Sequence, residues 1–152
     1  MRKVFETNDA MKNIFVNGAI EPAFIADRIA DHSHKTAIGA HSIFLGQVRA
    51  DHIDGKAVAA IEYTAYEAMA NEQMHRIREE TFAKYPLSCM HIYHSLGKVY
   101  VGEQCLFVFT SAAHRHGAIE ACEEVVERIK QELPIWGKEI FGDETHQWKI
   151  NT

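Results

Sequence analysis

The chain has 152 residues, a length that fits one domain burying roughly 68–70% of its unfolded surface. A net charge of −5 and the lack of any Lys/Arg-rich block argue against nucleic acid as a partner. No apolar run approaches the ~20 residues of a membrane span.

Residues 1–12 read as a loose polar arm without the apolar core of a signal peptide, which leaves 13–152 as a single domain. Ile14–Val16 is a short strand. Pro22 opens a helix over Glu21–His32 whose apolar side is Phe24, Ile25 and Ile29. The small apolar stretch 37–49 is a strand through Ile43-Phe44-Leu45, and Asp51–Lys56, with Asp54-Gly55, is a turn or mobile loop. Val58–Tyr66 is a strand with Ala59, Ile61, Tyr63 and Ala65 on one face. Met69–Tyr85 is an amphipathic helix carrying Met74, Ile77, Thr81, Phe82 and Tyr85, stopped by Pro86. Cys89–Leu96 alternates as a strand, and Gly97 and Gly102 bracket a short extended piece, Lys98–Val101. Cys105–Phe109 is a buried strand, followed by a helix over 118–133 with Ile119, Cys122, Val126, Ile129 and Leu133 as its stripe. Ile135–Phe141 and Gln147–Ile150 are final short strands. Short turns join several strand pairs, so the expected class is α+β with a mainly antiparallel sheet and packed helices. Cys89, Cys105 and Cys122 each sit in an apolar pattern and read as buried thiols of a reducing cytosol.

The segment Phe109 to Ala118 leads from an apolar strand through small residues to His114-Arg115-His116-Gly117 and a helix. Helix-start N–H groups together with Arg115 suit an anionic ligand, and the same residues equally describe a solvated turn with a helix cap. Lys130 borders its helix's apolar stripe, where it either snorkels along the core or projects into a cleft. Lys138 lies eight residues later, and Arg49 ends a strand before a turn. The pairs His32-x-His34, His91-x-x-His94 and His114-x-His116 lack a third ligand at a diagnostic spacing, so no metal is expected. Nucleophilic hydrolysis finds no Gly-x-Ser-x-Gly motif, and Cys122 has no obvious base.

Taken in order, these segments resemble one family. Phe44-Leu45-Gly46-Gln47-Val48-Arg49 looks like the Phe-x-Gly-x-Val-Arg element of the catalytic (large) subunit of molybdopterin synthase, the MoaE family. Glu62-Tyr63-x-x-Tyr66 with Met69, His94-x-x-Gly97 with Gly102-Glu103, Ser111-Ala112-x-His114-Arg115, Lys130 with Pro134-Ile135-Trp136-x-Lys138-Glu139, and Trp148-Lys149 follow in the family's order. The resemblance covers residues 13–150.

What the resemblance implies goes beyond composition. Such subunits add two sulfurs to cyclic pyranopterin monophosphate, forming the dithiolene of molybdopterin. Sulfur arrives on a small ubiquitin-like subunit whose C-terminal Gly-Gly carries a thiocarboxylate. The family is a homodimer within a heterotetramer, its pterin site near the dimer interface, its fold α+β with a hammerhead-like β element. No cofactor is implied, and the expected compartment is the cytoplasm. Carried over residue by residue, Lys130 and Lys138 are the catalytic amines. Gln47, Val48, Arg49, His114, Arg115, Gly137 and Glu139, with the two lysines, bind substrate. Family members often have two consecutive basic residues after the tryptophan, where this chain has Gly137-Lys138. Lys138 is expected to take over the role missing at Gly137, helped by the flexibility of that glycine. The rival readings are a binding module that retained the fold without turnover and a metal-dependent hydrolase.

Overall fold

A computed structural model describes residues 12–150. The expected arm, residues 1–12, lies outside the described residues except for Lys12. Eight strands form one sheet, with a path running β2 (Ala40–Gln47), β6 (Gln104–Ala112), β5 (Leu87–Tyr100), β4 (Lys56–Ala65), β7 (Ile135–Phe141), β8 (His146–Trp148). β3 (His52–Ile53) pairs with β4, and β1 (Phe15–Asn17) lies parallel to β5; every other pairing is antiparallel. The expected α+β class with a mainly antiparallel sheet is the observed one. None of the described helices is long and apolar enough to cross a membrane.

Helices α2 (Glu67–Lys84) and α3 (Arg115–Glu132) cover one sheet face. Met74 and Ile77 from α2 and Cys122, Val125 and Ile129 from α3 pack there against Met90, Ile92, Leu106 and Val108. Helix α1 (Pro22–Ala30) covers the other face, where Phe24 and Ile25 meet Phe107, Phe109 and Tyr93. Alternation along β5 explains the division: Met90, Ile92 and His94 face α2 and α3, whereas Cys89, His91 and Tyr93 face the α1 side.

Several boundaries differ from expectation, each for a local reason. β5 does not stop at Leu96. It continues through Gly97, whose φ of +83° bends the strand, so its first half pairs with β6 and its second half with β4. Of the two expectations for Asp51–Lys56, the turn is the one observed. Asp54 (φ 52°) and Gly55 (φ 80°) make the positive-φ pair of a tight hairpin turn between β3 and β4. Ala59 is exposed rather than on the buried face of β4. The register shifts between Val58 and Ala60, and this bulge turns Val58 and Ala60 inward ahead of Ile61. The helix α3 begins at Arg115, not 118, and Thr110-Ser111-Ala112 belongs to β6 and is buried. Its buried stripe runs through Ala118, Ala121, Cys122, Val125 and Ile129, and Ile119 is 52% exposed. Small residues there let α3 lie close against the sheet. The three cysteines are buried and free, as the sequence suggests.

Candidate functional site

Lys130 sits in the last turn of α3, just before the extended C-cap Leu133 and Pro134 end the helix. A cation there complements the partial negative charge of the terminal carbonyls. Its neighbour Ile129 is buried, so the lysine lies at the edge of the packed stripe with its side chain exposed. Lys130 lines two adjoining hollows, a cleft of about 300 Å³ and a smaller recess of about 30 Å³. The cleft opens between the end of β2, the β4–β7 face and the C-terminal end of α3.

Lys149 follows β8 directly and lines both hollows beside Lys130. Its backbone N–H donates to the Gly137 carbonyl at 2.8 Å, which extends the β7–β8 pairing by one residue. Its ammonium stands 4.0 Å from Oε2 of Glu139, a carboxylate only 4% exposed. Glu139 also accepts at Oε1 from Gln147 Nε2 at 3.0 Å. One buried carboxylate thus holds Lys149 in place.

The period-two alternation of β7 decides which of its residues belong. Ile135 and Gly137 line the recess, and Glu139 lines the cleft. Trp136 and Lys138 point the other way. The Lys138 ammonium pairs with Glu62 Oε1 at 3.3 Å across the strand and lies 5.9 Å from the Trp148 ring centroid. It lines neither hollow. Nor is there room at 137 for a side chain. A Cβ there would come within 2.9 Å of Ile61 Cγ2 and 3.2 Å of Tyr63 Cε1.

Arg49 and Gln47 both line the cleft. The Arg49 fork is occupied by Asp51, with Nε to Oδ1 at 2.6 Å and Nη2 to Oδ2 at 3.2 Å. This hydrogen-bonded pair raises the pKa of Arg49 and lowers that of Asp51, keeping both charged at neutral pH. Gln47 Oε1 accepts from Gln104 Nε2 at 3.0 Å. Val48 lies deeper: it is 1% exposed and packs with Val58, Ile61, Val99 and Phe141.

Two further groups shape the chemistry. His94 reaches the recess from β5, and its Nδ1 donates to the Ser95 carbonyl at 2.8 Å, leaving Nε2 bare. Burial, with a contribution from the Lys130 charge, holds its pKa down to about 4, so the ring is neutral at neutral pH. Tyr63 spans both hollows and donates to Cys105 Sγ at 3.4 Å. Burial foremost, with Cys105 next, pushes its phenol well above the ordinary range. The site therefore sets two ammonium groups and a guanidinium against two carboxylates, Glu139 beside Lys149 and Asp51 in the Arg49 fork, with the neutral His94 and Tyr63 between them. This leaves Lys130 as the cation without a carboxylate among the residues lining the hollows. Such a set binds an anion and hands protons on at nitrogen.

His114 and Arg115 are elsewhere. They are the exposed N-cap and first residue of α3, and His114 makes no side-chain capping bond. Fifteen residues of helix separate Arg115 from Lys130, or about 22 Å at 1.5 Å per residue. Within one chain the structure brings together Lys130, Gln47, Arg49, Glu139 and Gly137, and leaves Val48, Lys138, His114 and Arg115 outside the cleft. Lys149, His94 and Tyr63, which also line the hollows, are not among the site residues expected from the sequence.

Comparison with known proteins identifies the family. The family model described as MoaE protein matches residues 19–132. The molybdopterin synthase catalytic subunit of Drosophila mojavensis is 41% identical over 127 residues, covering 80% of this chain and 34% of the relative. Molybdopterin synthase catalytic subunit 1 of Aedes aegypti is 38% identical over 135 residues, covering 87% of this chain and 84% of the relative. The chain spans about a third of the length of the Drosophila relatives it matches. The crystal structure of molybdopterin synthase from Staphylococcus aureus superposes with a TM-score of 0.79 at 29% identity, covering 91% of this chain and 96% of that one. The family model spans most of the chain, and the Aedes relative matches it nearly end to end: this chain belongs to the MoaE family of molybdopterin synthase catalytic subunits.

Proposed function

We propose that the chain is the catalytic subunit of a molybdopterin synthase, a cytoplasmic sulfurtransferase of molybdenum cofactor biosynthesis. It takes sulfur from the thiocarboxylate of a ubiquitin-like small subunit ending in Gly-Gly and gives it to cyclic pyranopterin monophosphate. The observation that carries this reading is the convergence of Lys130 and Lys149 on one cleft in a chain of this family. Both reactants are anions, a thiocarboxylate and a cyclic phosphate. In each transfer the thiocarboxylate sulfur forms a bond to a pterin carbon as that carbon's C–O bond breaks and the oxygen leaves, protonated, as water. Water then cleaves the resulting thioester at the acyl carbon, leaving the sulfur on the pterin as a thiol and the carrier as a carboxylate. Lys130 neutralises the thiocarboxylate and supplies a proton as oxygen departs. Lys149, held by Glu139, is the second amine. It fills the role expected of Lys138, whose ammonium is tied to Glu62 on the opposite face.

The reading accommodates His114 and Arg115 through the homodimer. A span of about 22 Å is too long for one small pterin to touch both ends of α3. A two-fold dimer places the α3 start of one protomer at the other's cleft, where Arg115 and His114 bind the phosphate. Arg115→Ala should then weaken pterin binding at least tenfold with the melting temperature unchanged, and His114→Ala should do the same more mildly. Isothermal titration with the pterin measures both. Mixing Arg115→Ala with Lys130→Ala chains tests the sharing itself. Assayed at pterin well below the Kd of Arg115→Ala, random dimers regain about a quarter of wild-type activity if each site draws on two chains, and show only the residual activity of the parent variants if each site is built within one.

A further inference from the structure

On the α1 side of the sheet, opposite Lys130, three potential metal ligands meet. His32, just past the C-terminus of α1, faces Cys89 and His91 on β5, and their donor atoms all lie within 4.8 Å of one another. His32 and Cys89 are 6% and 7% exposed. His32 Nδ1 donates to the Arg28 carbonyl at 2.7 Å. That bond fixes the tautomer and aims a bare Nε2 at His91 Nε2, 3.0 Å away. A backbone carbonyl holding the far ring nitrogen is the usual support of a metal-ligating imidazole. Tetrahedral zinc with Zn–N bonds of about 2.0–2.1 Å puts neighbouring nitrogens ~3.3 Å apart, so the pair needs to open by only ~0.3 Å.

We propose that His32, Cys89 and His91 form a binding site for one Zn²⁺-class transition-metal ion. Two imidazoles and a thiolate leave a fourth position for water, and the set is soft enough to reject Mg²⁺ and Ca²⁺. The sequence hides this site because His32 lies 59 residues from His91. On binding, the Cys89 thiol proton leaves to solvent and His91 moves its ring proton to Nδ1, so affinity rises with pH. Two features oppose binding. Lys35 Nζ donates to Cys89 Sγ at 3.1 Å and must give way, and Lys12 and Arg78 add positive charge nearby. Binding would staple α1, which has no buried residue of its own, to β5.

The test is titration of chelator-treated full-length protein with Co²⁺, followed by competition with Zn²⁺. The expected result is one equivalent of Co²⁺ with a thiolate-to-cobalt charge-transfer band, displaced by Zn²⁺. Cys89→Ser, close in shape to the native residue, should lose the band and weaken binding at least 100-fold. Lys35→Met should tighten binding several-fold, which a purely structural role for Lys35 does not predict. Zn²⁺ should raise the melting temperature of the wild type and not of Cys89→Ser. Binding of less than half an equivalent, or a full band in Cys89→Ser, overturns the proposal. None of these readouts depends on sulfur transfer.

Discussion

Lys130→Ala should lower molybdopterin formation at least ~100-fold, the scale for losing one preorganised charged donor from an active site. Its melting temperature should stay within about 2 °C of the wild type, because an exposed lysine at a helix end adds little packing. The contrast between the two readouts is the informative part. Were Lys130 only snorkelling along the core, its truncation would move stability and activity together or move neither. Lys130→Arg keeps the charge but replaces a compact ammonium with a broad fork, so it should bind carrier and pterin yet transfer sulfur slowly. Single-turnover assays and thermal melts on the same preparations measure all of this.

The second large effect is at Lys149. Lys149→Ala should reduce turnover about 10–100-fold, on the same electrostatic reasoning. Lys138→Ala should change it less than about threefold, since a partly exposed pair with Glu62 contributes little and faces away from the cleft. Moving an amine to position 137 should not help. Gly137→Lys drives a Cβ to 2.9 Å from Ile61 Cγ2, so it should lower the melting temperature and fail to rescue Lys149→Ala. Equal losses in Lys138→Ala and Lys149→Ala, measured as kcat for sulfur transfer, would return the second amine to position 138.

The sequence made the architecture legible where pattern and punctuation agreed. Pro86 and Pro134 stop α2 and α3 close to the expected residues, and β7 runs over Ile135–Phe141 as expected. It misled where geometry depends on partners. The face of β4 switches at a bulge that exists only because Val58 and Ala60 pair with β7. The α3 stripe follows Ala118, Ala121 and Val125 because small side chains fit close to the sheet, whereas weight by hydrophobicity favoured Ile119. Of the residues the resemblance names, Lys130, Gln47, Arg49, Gly137 and Glu139 line the two hollows. Lys138 was assigned by nearness in sequence to Gly137. In a strand, neighbours point to opposite faces, so Lys138 faces away from the recess that Gly137 lines. Lys149 reaches the cleft through β8 pairing with β7, a contact that no local pattern near residue 149 announces. His32, Cys89 and His91 likewise meet only across the packing of α1 on β5.

The Lys130–Lys149 cleft is proposed to move sulfur from an acyl carrier to a pterin. The direct measurement is a single-turnover reconstitution with purified chain, cyclic pyranopterin monophosphate and a Gly-Gly carrier bearing a thiocarboxylate, with the dithiolene product quantified. Product is expected with the wild type, none when the carrier ends in an ordinary carboxylate, and none with the Lys130→Ala, Lys149→Ala double variant. Pterin and carrier that bind the wild type without yielding product, or a double variant that converts pterin at the wild-type rate, would contradict it.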